Sequence, residues 1–104
     1  MQRITIQYAT PADPEAFDRH YREVHVPLAA KVPGLRRFTM SHPRGLGADP
    51  GIHLVAELWF DDTDALRAAL KSPEMAATAA DAASFEVAGT TMFSGEVEDV
   101  DLRP

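Results

Sequence analysis

Apolar and polar residues alternate along two segments of the chain, and this alternation is typical of β-strands with one buried face. The first strand is predicted over residues 3–8, where every second residue from Ile4 onward is apolar. The second alternating segment is residues 53–60. Residues 35–42, and the threonine-rich and aromatic stretch from 87 to about 97, are also predicted to be strands.

The segment 53–60 has two faces of different composition. One face is apolar throughout: Leu54, Ala56, Leu58 and Phe60. The other face carries His53, Val55, Glu57 and Trp59. Neither set resembles a face that is simply exposed to solvent, so both faces of this strand are expected to be covered.

A helix with one apolar stripe is predicted between the first two strands. Counted at about 100° per residue from Phe17, the residues Tyr21, Val24 and Leu28 fall within about 40° of it. His25 lies about 80° away, at the edge of the stripe. From there an imidazole can reach a cleft between helix and sheet without being sealed in the core.

Proline and acidic residues set the expected bounds of this helix. Asp13-Pro14-Glu15 supplies a cap, a first-turn proline and an acidic first turn, so the helix starts near residue 14 and ends before Pro33-Gly34. Because Pro27 lacks an N–H and disfavours helical dihedrals at Val26, the helix should bend or end near His25. A position at the helix end would raise the pKa of His25, whereas burial would lower it.

A second helical region is predicted between the last two strands. Asp61-Asp62-Thr63 can cap a helix that contains Leu66, Ala69 and Leu70. Ser72-Pro73-Glu74 repeats the cap and proline signature for a further helical piece through about residue 83.

The resulting order β-α-β-β-α-β predicts an α+β, ferredoxin-like fold in which a four-stranded antiparallel sheet carries both helical regions on one face. The opposite face would then expose Val55, Trp59 and Phe93. Pairing two such faces in a symmetric homodimer would cover them.

Composition restricts the function classes. The 104 residues are 45% hydrophobic with a net charge of −6, which suits one domain over residues 1–104 and disfavours nucleic acid as a partner. Acidic residues concentrate in a tail from about residue 97. The chain has no cysteine, which excludes disulfides and thiol chemistry. No apolar run approaches the length of a membrane span, so we expect no membrane partner and a cytoplasmic protein.

Four segments carry residues at spacings that point to a known family. They are Asp13-Pro14-x-x-Phe17-x-x-x-Tyr21-x-x-x-His25-x-Pro27-Leu28, Pro33-Gly34-Leu35, Glu57-Leu58-Trp59-Phe60-Asp61 and Leu70-Lys71-Ser72-Pro73-Glu74. Together they resemble the EthD family of the dimeric α/β-barrel superfamily, over residues 1 to about 96. The resemblance implies a small dimeric protein of catabolic or secondary metabolism, in a superfamily that includes isomerases, cyclases and cofactor-free monooxygenases.

His25 is the candidate acid or base, since imidazole titrates near neutral pH, and Tyr21, four residues earlier, is the candidate that orients it or binds a substrate oxygen. The predicted function is binding of a hydrophobic, oxygenated small molecule, with isomerisation, cyclisation or cofactor-free oxygenation as the reaction types. The alternative is a non-catalytic ligand-binding module, or an accessory dimerisation module for a neighbouring oxygenase. Substrate and reaction stay open at this point, as does the choice between a pocket under the helices and one inside the dimer barrel.

Five further residues are predicted to contact the ligand: Tyr8, Phe17, Met40, Glu57 and Trp59. If Glu57 is buried it needs a partner, for which Arg36 or Arg37 is expected. An ion pair in the dimer sheet is the competing interpretation of this carboxylate.

No metal site and no cofactor are predicted. His20, Glu23 and His25 lie close in sequence, but the two histidines are five residues apart, whereas a helical zinc pair needs four. Haem on a single axial histidine stays an alternative that the resemblance allows.

Overall fold

The computed structural model describes residues 1–104 as one four-stranded antiparallel sheet with its helices on one face. The strands are β1 (Gln2–Ala9), β2 (Arg37–Ser41), β3 (Ile52–Phe60) and β4 (Thr90–Glu96), in the order β2-β3-β1-β4. The helices are α1 (Pro14–His20), α2 (Val26–Ala29), α3 (Thr63–Leu70) and α4 (Pro73–Ala82), and a π-helical turn over Tyr21–His25 joins α1 to α2. The predicted ferredoxin-like fold is confirmed.

Side-chain caps start the helices where the sequence predicts. Asp13 accepts a hydrogen bond from the backbone N–H of Ala16 at 3.1 Å, and Asp62 caps α3 in the same way. Ser72 caps α4, whose first position is Pro73. These bonds satisfy N–H groups that have no partner inside the helix.

The helix that begins at residue 14 does not end at His25. It changes to π hydrogen bonding, with the Val26 N–H bonded to the Tyr21 carbonyl, and then continues through Ala29. Val26 has helical dihedrals of −57° and −47°, so the expected extended conformation before Pro27 is wrong. A π-turn holds one residue more than an α-turn, so its wider hydrogen bonding accommodates one additional residue within the helix.

The π-turn changes which residues the helix buries. The buried positions are Phe17, Tyr21, His25 and Ala29, spaced four residues apart. Val24, predicted to lie in the stripe, is 42% exposed, and His25, predicted at its edge, is 2% exposed. The extra residue in the turn shifts the helical phase, and His25 takes the place in the core that regular α-helical periodicity gives to Val24.

A β-bulge alters the predicted face of His53. The β1–β3 register passes from Tyr8–Leu54 to Ala9–Ile52, which leaves His53 without a partner on β1. Its ring contacts α1, where the centroid of Phe17 lies 5.6 Å away. His53 therefore lies on the helix side, and its assignment to the face of Val55 is wrong because a bulge re-aims the side chain.

The apolar face of β3 forms the middle of the core, as predicted: Leu54, Ala56, Leu58 and Phe60 are all at most 3% exposed. The opposite face of the sheet, which we name the open face, carries no helix. Its residues, grouped by pairing register, are Arg3, Arg37 and Trp59; Thr5, Thr39, Glu57 and Phe93; and Gln7, Ser41, Val55 and Thr91.

Two strands are shorter than predicted. β2 begins at Arg37 rather than at residue 35, and β4 begins at Thr90 rather than at residue 87. Val87 contributes only an isolated bridge to Pro11. Residues 97–104 have no regular secondary structure. None of the helices combines the length and apolar character that crossing a bilayer requires.

Candidate functional site

A partly buried carboxylate–imidazole arrangement lies where the π-turn packs against α4. The Nδ1 atom of His25 is 2.9 Å from Oδ2 of Asp81, and the Nε2 atom of His20 is 2.8 Å from Oδ1 of the same carboxylate. One aspartate therefore binds two histidines at the two ends of the π segment, since His20 directly precedes it and His25 is its last residue. Sequence reasoning missed Asp81; its one signal is that it is the sole charged residue after Glu74 in the alanine-rich helix α4.

The protonation states of this arrangement follow from its surroundings. Burial alone would raise the pKa of Asp81, but hydrogen bonds from His20 and His25 outweigh it and hold that pKa below its usual value. Burial lowers the pKa of His25, and the Asp81 charge only partly opposes this. At neutral pH an ionised Asp81 accepts, so the neutral His25 donates its Nδ1–H and keeps a lone pair on Nε2.

His25 borders a small enclosed cavity between the helices and the sheet. The cavity measures about 30 Å³ and its lining is almost wholly apolar. It is lined by Ile4, Ile6, Tyr21, His25, Ala29, Phe38, Leu58, Met75, Thr78 and Met92. Two of the predicted site residues, His25 and Tyr21, are therefore brought together at one void, and the other eight lining residues were not among the predicted site residues.

Tyr21 lines the cavity beside His25, and Tyr8 packs against Tyr21 without lining the cavity. The Tyr21 and His25 ring centroids are 4.8 Å apart. Burial raises the pKa of Tyr8 to about 12. Burial also raises the pKa of Tyr21, and the neighbouring Tyr8 phenol raises it further through its charge and a hydrogen bond. Both phenols are therefore protonated at neutral pH and can act as hydrogen-bond donors but not as bases.

An aromatic cluster surrounds this site. Phe17 packs against Tyr8 at 5.6 Å and against Phe85 at 5.2 Å between ring centroids. Phe85 also packs edge-on to His25 at 5.0 Å. Phe17 and Tyr8 thus support the site rather than line its cavity, and Phe85 is a supporting residue that sequence reasoning missed, because it lies in the segment between α4 and β4.

The remaining predicted ligand contacts lie elsewhere. Met40 packs against the core cluster of Tyr8 and Leu54 but does not line the cavity. Glu57 and Trp59 lie on the open face, across the sheet from His25, because residues one apart on a strand point to opposite sides. The structure therefore does not gather the predicted ligand-binding residues into one pocket.

Glu57 pairs with a residue that the sequence did not suggest. Its carboxylate lies 3.3 Å from Nη1 of Arg3, its diagonal neighbour across the β1–β3 ladder, rather than with Arg36 or Arg37. Arg36 instead binds Asp61. The expected partners are wrong because cross-strand pairing, which a single segment does not reveal, decides which cation lies nearby.

Trp59 lies between two cations on the open face. The guanidinium carbons of Arg3 and Arg37 are 5.6 Å and 5.4 Å from its ring centroid. Three buried polar atoms here have no hydrogen-bond partner within the chain: Arg3 Nε, Thr5 Oγ1 and Trp59 Nε1. Buried polar atoms of native proteins are normally paired, so this face is suited to contact with water or a further surface.

A second cavity adjoins the first. It measures about 150 Å³ and is lined by Ile4, Leu70, Met92, Phe93 and Ser94. Ile4 and Met92 belong to both linings. Met92 is 65% exposed on the edge strand β4, so its flexible side chain both lines the enclosed cavity and reaches solvent.

Residues 9–86 match the EthD domain. A protein of Rhodococcus erythropolis, described as an uncharacterized 11.0 kDa protein in the thcB-thcC intergenic region, is 41% identical over 101 residues, which is 96% of this chain and 98% of that protein. The crystal structure of an ethyl tert-butyl ether D (EthD) family protein from Bacillus halodurans is 32% identical, with a TM-score of 0.86 over 94% of this chain and 99% of that one.

A more distant structure shares the fold alone. SnoaB from Streptomyces nogalater, a cofactor-independent oxygenase, is 19% identical with a TM-score of 0.71, covering 98% of this chain and 97% of that one. At this identity the likeness establishes the architecture and not the chemistry.

Proposed function

We propose, from the premise that this chain belongs to the EthD family, that it binds a hydrophobic, oxygenated small molecule in the cavity beside His25 and moves a proton on it. The reaction types that fit are isomerisation, cyclisation and cofactor-free oxygenation, the last in line with the described activity of SnoaB. The observation that carries the proposal is a buried imidazole, oriented by Asp81, at the wall of an apolar void.

The geometry supports a role for His25 as a general base. Asp81 fixes the ring orientation and the tautomer, so the free lone pair is on Nε2. A base in an apolar cavity can take a proton from a carbon next to a carbonyl group, and the bonding electrons move to the carbonyl oxygen to give an enolate. Return of the proton at the same or another carbon completes an exchange or an isomerisation.

Tyr21 is suited to stabilise that oxygen. Its hydroxyl stays protonated because burial raises its pKa, and its ring lines the same cavity as His25. A preorganised neutral donor facing a developing oxyanion is a common means of lowering the barrier of such a step. We assign the base to His25 and the donor to Tyr21.

Ligand entry requires the cavity to open. A volume of about 30 Å³ is far below the roughly 300–1,000 Å³ of typical ligand sites. Met92 separates this cavity from the neighbouring one of about 150 Å³, and rotation of its side chain would join the two. We therefore place the entrance at the edge strand β4.

The proposed function is tested by proton exchange on a ketone of the required chemistry. Purified protein is incubated with α-tetralone in D₂O, and NMR follows loss of the signal from the CH₂ next to the carbonyl. We expect this exchange to be clearly faster than in buffer that contains free imidazole at the concentration of the protein. Saturable binding of α-tetralone without faster exchange would contradict the catalytic role of His25.

A second candidate function is favoured by the small size of the void. If Met92 does not move, the enclosed space is about the size of one water molecule and cannot hold an organic ligand, so the chain would act as an accessory dimerisation module. This candidate predicts that α-tetralone neither binds saturably nor exchanges. The two measurements, binding and exchange, separate an enzyme, a binding module and an assembly module.

We also propose that the protein is a homodimer formed through the open face. Phe93 is 49% exposed there, and the orphaned polar atoms around Trp59 would find partners in a second copy. In a twofold interface each residue contributes twice, so a modest patch becomes a self-complementary surface. The family resemblance supports the same arrangement.

Light scattering after size exclusion should show roughly twice the 11.4 kDa of the chain. Val55→Glu, which introduces one charge per copy on the open face, is expected to yield a monomer. The matched control is Val24→Glu on the exposed side of the helix, which should stay dimeric. A wild-type monomer at micromolar concentration would contradict the proposal.

A further inference from the structure

A second group of one aspartate and two histidines lies beside Phe17, which contacts His53. His42 and His53 each place Nε2 on the same oxygen of Asp18, Oδ1, at 3.1 Å and 2.8 Å. The three atoms all lie within 4.8 Å of one another. We propose that Asp18, His42 and His53 form a binding site for a divalent transition metal ion of the Zn²⁺ class.

Convergence distinguishes this group from the one around Asp81. Both groups contain one aspartate and two histidines. In the Asp81 group the two imidazole nitrogens bind different oxygens of the carboxylate, with the aspartate standing between the rings. In the Asp18 group both nitrogens approach the same oxygen, so the three potential ligand atoms lie within 4.8 Å of one another.

The distances suit a metal ion after a local adjustment of the three side chains. With bonds of about 2.0–2.2 Å to nitrogen and oxygen, two ligands of a tetrahedral zinc ion lie about 3.4 Å apart. The observed nitrogen–oxygen separations are 2.8 Å and 3.1 Å, and all three atoms lie within 4.8 Å of one another, so metal binding requires the carboxylate oxygen to recede from the rings and the two ring nitrogens to settle at the ligand spacing. Asp18 and His42 are partly exposed, which leaves room for that movement and for water as a fourth ligand.

The donor types select the kind of ion. Two imidazoles and one carboxylate suit Zn²⁺, Fe²⁺, Co²⁺ or Ni²⁺, whereas Mg²⁺ and Ca²⁺ prefer oxygen ligands. The net charge of −6 also favours cation binding.

The fold brings the three ligands together from three places. Asp18 lies on α1, His42 directly follows β2, and His53 is turned toward α1 by the β-bulge in β3. His42 and His53 also flank the connection 43–51, so a shared ion would close the base of that connection. Bulges commonly re-aim a side chain at a functional position, which agrees with this assignment.

The test uses Zn²⁺ alone with protein that carries no histidine tag. Titration calorimetry at neutral pH is expected to show one Zn²⁺ per chain and no binding of Mg²⁺. His42→Gln and His53→Gln should each weaken Zn²⁺ binding by about 100-fold, since even loss of a group that merely supports a ligand costs about 10–100-fold. His20→Gln, from the non-convergent group, is the matched control and should bind as the wild type does.

A second readout concerns the connection 43–51. Zn²⁺ should slow its cleavage by a broad-specificity protease in the wild type and in His20→Gln, but not in His42→Gln. Because His42 is partly exposed, this variant is expected to fold, as thermal unfolding without metal will show. The proposal is overturned if the His42 and His53 variants both still bind one Zn²⁺ tightly. It is also overturned if His20→Gln loses Zn²⁺ binding to the same extent as they do. Either result indicates adventitious binding.

Discussion

Replacement of His25 by Gln is expected to slow the exchange of α-tetralone protons by about 10²–10⁴-fold, the usual contribution of a positioned acid or base. Gln is close to His in size and can donate a hydrogen bond to Asp81, which also keeps its bond from His20. The fold and the affinity for α-tetralone should therefore be retained. The measurement is the NMR exchange rate at saturating α-tetralone, alongside a binding titration.

The pH dependence of the wild-type rate provides a further test of His25. Only the neutral ring has a lone pair on Nε2, so the rate falls as the pH drops through the pKa of His25. Burial lowers that pKa below its ordinary value of 6.5, so the fall is expected on the acidic side of 6.5. The His25→Gln variant should lack this limb of the profile.

Glu23→Gln is the matched control for this substitution. Glu23 lies in the same π-turn but is exposed, so the variant changes one polar side chain without touching the cavity. Its exchange rate should equal that of the wild type. Unaltered exchange in His25→Gln would remove His25 from the mechanism, and an equal loss in Glu23→Gln would show that any change in the turn is harmful.

Replacement of Leu54 by Ala is expected to reduce the free energy of unfolding by about 3–5 kcal/mol. Leu54 is fully buried and packs with Tyr8, Phe17 and Tyr21 beneath the site, so truncation leaves a cavity as well as losing apolar burial. Such a loss is a large fraction of the total of about 5–15 kcal/mol typical of a domain. Urea unfolding at one protein concentration measures it, because dimerisation makes stability depend on concentration.

Leu46 offers the matched control for Leu54. The same substitution at Leu46, which is fully exposed in the connection between β2 and β3, should change the free energy of unfolding by less than about 0.5 kcal/mol. Equal losses in the two variants would contradict the assignment of Leu54 to the core.

The structure brings the predicted residues His25 and Tyr21 together at one void, whereas most of their surroundings were not predicted. Their proximity could be predicted because both lie on one helix, where spacing along the chain brings them together. The burial of His25 was not predicted, because the π-turn that rotates it inward departs from regular periodicity. Asp81 and Phe85 were missed because they reach His25 from residues 56 and 60 positions later in the chain, through packing of α4 and the segment after it.

The amino-acid sequence alone determined the strands, the helix caps, the order β-α-β-β-α-β and the family, because alternation, capping and proline positions act over a few residues. The tertiary structure alone decided the pairing of Asp81 with His25, the side of the sheet on which Glu57 and Trp59 lie, and the convergence of His42 and His53 on Asp18. These features depend on strand register, on a one-residue bulge and on an additional residue in a helical turn. Each is selected by packing between distant segments, which local preferences do not encode.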